Sequence, residues 1–272
     1  MQFSKQDQMI LADLRKAKSI YPDLKEILDF YENLFQTQFT FKSRLADQAE
    51  YWEKKEINLH DLKNGIPQIR FEELDLQPVP LLTLYRRIVK LMVPYAGSPD
   101  NPEAEPSPEK VVEYAREIFL NGDPLVTSGS LQDLVRSTSG FALAPYLQNA
   151  CEWIRSQIPP HLWYREYCPI CGGRPSFAAL TSDSGSRTLL CARCLEEWKY
   201  DRIGCPYCKS NDSQIYYPSS DGKHRLYVCE ACNRYLKTVD VREGGPALCL
   251  PVEGIVTVSM DLAAQDKGFR FF

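Results

Sequence analysis

The sequence has little net charge: 32 Lys and Arg against 36 Asp and Glu leave −4 over 272 residues. That balance gives no electrostatic reason to expect nucleic acid or a membrane surface as partner. No stretch approaches the roughly twenty consecutive apolar residues that cross a bilayer. The first residues, MQFSKQDQMI, lack a basic region followed by an apolar run, so no secretory signal is read there and a cytoplasmic protein is expected. Histidine is scarce, with three in the chain, and neither His60 nor His161 stands in a partner pattern. A glycine-rich phosphate loop, G-x-S-x-G and H-E-x-x-H are all absent, and the carboxylates are scattered without visible pairing. With no catalytic constellation to assign, the chain is expected not to be an enzyme.

What the sequence does have is ten cysteines, eight of them in four Cys-x-x-Cys knuckles. These are Cys168/Cys171, Cys191/Cys194, Cys205/Cys208 and Cys229/Cys232. Nineteen residues separate the first knuckle from the second, and twenty the third from the fourth. That is the spacing of a four-cysteine metal ribbon, written twice. Each knuckle puts two thiolates on one side of a tight turn, and two knuckles close a tetrahedral S4 site. Four thiolates around a divalent ion leave no open position, so such a site is structural or electron-transferring rather than hydrolytic. Soft thiolate accepts zinc and iron alike, and two mononuclear ions of either metal are expected. The favoured pairing is sequential, 168/171 with 191/194 and 205/208 with 229/232. An interleaved pairing stays open, because only ten residues separate the two sets. Disulfides, a catalytic dithiol and one shared cluster are the competing readings; a reducing compartment and the regular repeat favour metal.

The region is an internal repeat. CPICGG at 168 matches CPYCKS at 205, and RTLLCARC at 187 matches RLYVCEAC at 225. Trp198-Lys199 falls on Leu236-Lys237 in the same register. Short β-prone runs, Thr188–Leu190 and Arg225–Val228, alternate with turn residues, as in hairpins held by knuckles. Upstream, the pattern is helical. Leu24, Ile27, Leu28, Tyr31, Leu34 and Phe35 trace one face of a helix after Pro22. Leu81 to Val93 gives a second, residues 94–108 with five prolines a loop or linker, and Ser107-Pro108 the start of a third. Leu143, Tyr146, Leu147, Ala150 and Ile154 mark a last one, stopping before Pro159-Pro160. The fold expected is α+β. A helical domain at 1–164 precedes metal ribbons at 165–203 and 204–243, and 244–272 forms a short C-terminal helix and tail. Residues 1–164 carry 18 basic and 23 acidic groups; residues 165–243 carry 12 and 10. The ribbons are thus only weakly basic, too little for a surface built to neutralise many phosphates.

Three further residues invite a functional role. Cys151 lies on the apolar stripe of the last helix and reads as a core residue. Cys249, alone in PALCLP, reads as a buried thiol. His224 could approach a metal, but the cysteine set beside it is already full.

YCPICGGRP at 167, LLCARCLEEW at 189, CPYC at 205 and VCEACNRYLKTVD at 228 resemble the formate dehydrogenase accessory protein family (FdhE). Met260-Asp261-Leu262 and Gly268-Phe269 are similar to that family's closing helix. The resemblance is close over the last 105 residues or so; before them it rests on helical character and length. It implies a helical half followed by two tandem rubredoxin-like domains and a cytosolic maturation role. It also implies contact with the molybdenum- or tungsten-containing catalytic subunit of formate dehydrogenase, with the eight knuckle cysteines as metal ligands and iron as one candidate metal. Two other readings stand beside it. One is a nucleic-acid-binding zinc ribbon using Arg187, Arg193, Arg202, Arg225 and Arg234. The other is a rubredoxin-like electron carrier.

Overall fold

The computed structural model describes residues 3–95, 106–122, 131–181, 186–220, 222–243 and 248–271. Helix α1 spans Lys5–Ile20, its first turn capped by Ser4, whose hydroxyl accepts from the Asp7 amide. It buries Ile10, Leu11, Leu14 and Ala17, a 3.6-period stripe, against α2 (Lys25–Lys42). The stripe expected in α2 is present, with Leu28, Leu34 and Phe35 buried. Short helices α3 (Ala46–Lys54) and α4 (Leu59–Lys63) lead to α5 (Pro78–Met92). Of the proline-rich stretch, residues 96–105 lie outside the described residues. Its end is as expected: Ser107 caps α6 (Pro108–Asn121) by accepting from the Lys110 amide.

The last helix of this half, α7 (Leu131–Ile154), begins well before the residues that marked it in the sequence, and it runs through Pro145. Proline has no N–H, so the carbonyl four residues earlier, on Phe141, loses its helical donor. Gln38 from α2 supplies the replacement, its Nε2 donating to Phe141 O at 2.8 Å. Nearby, the Lys42 amine is buried between Asp7 and Glu152, at 2.6 Å from each, and ties α1, α2 and α7 together. No helix among the described residues is long and apolar enough to cross a membrane.

Among the described residues the cysteine-rich part supplies six strands: β1 (Pro175–Leu180), β2 (Ser186–Cys191), β3 (Glu197–Asp201), β4 (Gln214–Pro218), β5 (His224–Cys229) and β6 (Arg234–Asp240). Each repeat forms an antiparallel three-stranded meander. The two join in one sheet of order β3-β2-β1-β6-β5-β4, through parallel pairing of β1 with β6. The first strand of one copy therefore meets the last strand of the other, with Ala178 opposite Thr238.

The C-terminal segment differs from the single short helix expected. It forms two helices, α8 (Leu250–Val256) and α9 (Val258–Asp266). Thr257 breaks them: its hydroxyl donates back to Glu253 O at 2.7 Å. The buried Lys237 amine then takes the carbonyl of Gly254 at 2.6 Å and reaches Asp261 at 2.5 Å. A cation at the end of α8 suits the partial negative charge there.

Candidate metal centres

The eight knuckle cysteines gather into two groups, Cys168/Cys171/Cys191/Cys194 and Cys205/Cys208/Cys229/Cys232. Within each, all four sulfurs lie within 4.8 Å of one another. The grouping is the sequential one. None is disulfide-bonded.

Local backbone builds the first three knuckles with the same hydrogen bonds. Cys168 N donates to Gly173 O, Cys191 N to Glu196 O and Cys205 N to Ser210 O, at 2.8 to 2.9 Å. The amides of Ile170, Arg193 and Tyr207 each point at the sulfur two residues back, at 3.4 Å. The residue after the second cysteine is left-handed in all four: Gly172 (φ 71), Leu195 (φ 60), Lys209 (φ 65) and Asn233 (φ 55). That conformation turns the chain so that the amides of Gly172, Lys209 and Asn233 reach the carbonyl of the first cysteine of their knuckle, at 2.8 to 3.0 Å. Glycine and asparagine adopt it readily; leucine and lysine do so at a cost of about 1–2 kcal/mol. Gly173 serves a different need. A Cβ there would stand 3.0 Å from Cys191 Sγ and from Arg193 Cδ, so a larger residue would have to push one of them aside.

The sulfur geometry fits a four-thiolate ion. A tetrahedron with metal–sulfur bonds of about 2.3 Å has edges of about 3.8 Å. Facing sulfurs here are 3.5 Å apart for Cys168/Cys194, Cys171/Cys191 and Cys171/Cys194, 3.7 Å for Cys205/Cys232 and 3.6 Å for Cys208/Cys229. Burial holds the Cys168 and Cys194 thiols well above their usual range. Thiols held this way ionise beside other thiolates only with a cation among them.

The two centres differ in their surroundings. All four cysteines of the first are buried and continuous with the main core. The helical half is stitched to this first knuckle: Gln68 N and Ile69 N donate to Pro169 O and Ile170 O at 3.0 and 2.9 Å. Arg193, between its second pair of ligands, donates to the carbonyls of Ile118 and Phe119 at the end of α6. In the second centre Cys205 and Cys229 are buried, Cys232 is half-buried and Cys208 is exposed.

Cys151 is indeed a core residue, and it also reaches the edge of the first centre through Glu196, two residues beyond Cys194. Arg155 Nη2 donates to Cys151 Sγ at 3.2 Å, and the thiol points to Glu196 Oε2 at 3.3 Å. Burial pushes the Glu196 carboxyl up to about 7, against the pull of Arg155. Sequence periodicity placed Cys151 on the buried face of α7; nothing in it said that this face ends at the cysteine cluster. Cys249 is buried, as expected, just before α8. His224 has no place among the ligands, and its Nε2 lies 2.9 Å from Glu253 Oε2. Of the arginines that could have read phosphates, Arg187 and Arg193 are buried and Arg225 is paired with Asp240 at 2.5 Å.

No protein-family profile matches the chain. Curated proteins named FdhE do. A protein FdhE homolog from Aquifex aeolicus is 28% identical over 274 residues, covering 97% of this chain and 93% of that protein. A protein FdhE homolog from Stutzerimonas stutzeri is 28% identical over 142 residues, 47% of this chain and 46% of that protein. Protein FdhE of Escherichia coli K12 is 27% identical over 109 residues, 39% and 35% of the two chains. The crystal structure of the FdhE protein from Pseudomonas aeruginosa shares the fold with a TM-score of 0.55, at 19% identity, over 97% of this chain and 91% of that one. The resemblance to the FdhE family thus extends through the helical half, which the knuckle motifs alone did not reach.

Proposed function

We propose that this chain is an accessory protein for the maturation of formate dehydrogenase. In this reading it acts in the cytoplasm as a metal-binding chaperone and contacts the catalytic subunit before export. The observation that carries it is the union of two features: similarity to FdhE proteins over 97% of the chain, and two four-cysteine clusters set in that shared fold. The eight cysteines, Cys168, Cys171, Cys191, Cys194, Cys205, Cys208, Cys229 and Cys232, are the proposed ligands of two mononuclear ions, iron or zinc. A full thiolate set offers no coordination position to a substrate, which favours a structural or electron-transferring role over hydrolysis. The protein is accordingly read as a maturation factor rather than an enzyme.

The test is a tagged purification from the native host, with co-purifying proteins identified by mass spectrometry and bound metal measured by elemental analysis. A formate dehydrogenase catalytic subunit recovered with wild-type chain is the expected result. Recovery of nucleic acid or ribosomal material without that subunit overturns the proposal in favour of a nucleic-acid reader. Against that alternative, Arg187 and Arg193 are buried and Arg225 is ion-paired with Asp240, so three of the five candidate phosphate contacts are already engaged.

A further inference from the structure

Arg187 on β2 is 1% exposed. Its Nη2 donates to the carbonyl of Gly204, and its guanidinium lies over the Tyr200 ring, 5.4 Å from the centroid. Its Nε and Nη1 are buried with no hydrogen-bond partner. Among the described residues no carboxylate pairs with it. A buried guanidinium without an anion is costly, because arginine does not shed its proton. Its counterpart in the second copy, Arg225, has the ordinary solution, a carboxylate at 2.5 Å on Asp240. Arg187 has none, yet it is held at Gly204, the residue immediately before Cys205. Four thiolates around a divalent ion carry a net charge of −2, which itself needs compensation away from water. The other cations nearby are less enclosed than Arg187. Lys209 is exposed and paired with Glu166 at 2.9 Å, and Arg234 is half-buried over Tyr207.

We propose that Arg187, a residue of the first repeat, is the buried counter-cation of the second four-cysteine centre. It acts through space and through the Gly204 carbonyl, as a positioning and charge-balancing residue rather than a ligand. Each partner supplies what the other lacks: the cluster is the anion that Arg187 is missing, and Arg187 is the cation that the cluster is missing. The arrangement also makes the second centre depend on the first repeat, since β2 carries the cation. It rests on the reading of the clusters as metal centres.

The experiment uses the full chain loaded with Co(II), whose thiolate absorption reports each bound equivalent during competition with a chelator. The second centre is assigned by the equivalent lost in Cys208→Ser. In Arg187→Met the second-centre cobalt is expected to leave at least about tenfold faster, the usual range for removing a group behind a ligand. The first-centre cobalt keeps its wild-type rate. Arg187→Lys, which keeps the charge, is expected to restore slow release. With iron, the potential of the second centre is expected to move negative in Arg187→Met, because the cation favours the more negative ferrous form. Unchanged release and potential in Arg187→Met overturn the proposal, as does Arg187→Lys behaving like Arg187→Met. Should Arg187→Met be insoluble, Arg187→Gln is compared with Arg187→Lys by the same criteria. Wild-type chain that takes up fewer than two equivalents of cobalt sinks the metal reading itself; two equivalents with indifferent variants sink only the assignment to Arg187.

Discussion

Replacing Gln38 by Leu tests whether α7 depends on a borrowed donor. Pro145 removes the N–H that Phe141 O would have received, and Gln38 Nε2 stands in at 2.8 Å. Gln38 is 2% exposed, so water cannot easily take over in the variant. Leaving a buried carbonyl unsatisfied costs about 1–3 kcal/mol. Leucine returns part of that through its apolar surface, so the expected loss is about 2 kcal/mol, a shift of some thirtyfold in the folding equilibrium. The discriminating background is Pro145→Ala. There residue 145 has its own N–H to offer, and the same Gln38→Leu change is expected to cost under about 1 kcal/mol. Urea unfolding of the four proteins, with saturating zinc and helix content as the signal, yields the coupling energy directly. Equal cost of Gln38→Leu in both backgrounds refutes the idea that proline and glutamine are two halves of one hydrogen bond.

Lys42→Met strands two carboxylates, Asp7 and Glu152, that the amine holds at 2.6 Å. It is expected to cost about 3 kcal/mol at pH 8. Burial already raises the Asp7 carboxyl despite Lys42. The folded state therefore binds that proton more tightly than the unfolded chain does, and stability falls as pH rises through the folded-state value. The penalty of Lys42→Met should thus be smaller at pH 5 than at pH 8; a penalty that is constant, or larger at pH 5, contradicts the assignment. Gly173→Ala puts a Cβ 3.0 Å from Cys191 Sγ. It is expected to weaken metal retention at the first centre about tenfold and to leave the second untouched, as read by chelator competition. Cys229→Ser should lose one metal equivalent and unfold at least its own ribbon; full metal content and solubility would show that the sites do not hold the fold.

The metal motifs were legible because knuckle chemistry is local. Two cysteines three apart, with their partner pair about twenty further on, fix a ligand group with little help from the rest of the chain. The helix faces of α2 and α6 were legible for the same reason: an apolar stripe and a Ser-Pro start are written within a few residues. What could not be read depends on partners far away in sequence. Pro145 reads as a helix breaker until Gln38, more than a hundred residues earlier, is known to face it. Leu195 and Lys209 give no sign of a left-handed backbone, because the knuckle geometry imposes it on whatever residue falls there. Thr257 and Lys237 split the C-terminal helix in two through contacts that no window of sequence contains.

The two copies of the repeat show how far a repeat determines structure. Trp198-Lys199 and Leu236-Lys237 occupy equivalent places, and Trp198 and Leu236 are both buried. Their lysines have opposite fates: Lys199 is exposed, whereas Lys237 is 3% exposed beneath α8 and α9. The strand chemistry is the same, so the difference lies in what covers it. Pairing β1 with β6 leaves β3 and β4 as the two edges of the sheet. At the first edge Trp198 and Tyr200 are buried, and the Trp198 indole donates to Arg165 O at 2.8 Å. At the second edge Ile215, Tyr216 and Tyr217 are exposed, and Pro218 closes the strand with a residue that cannot extend a hydrogen-bond ladder. A lysine can be buried in the second copy because two helix-end carbonyls and Asp261 meet its amine. The same side chain in the first copy meets no such acceptors among the described residues and stays in water. Duplication set the knuckles and the strands; the elements outside the repeat decided which copy is enclosed at its cysteines and which at its lysine.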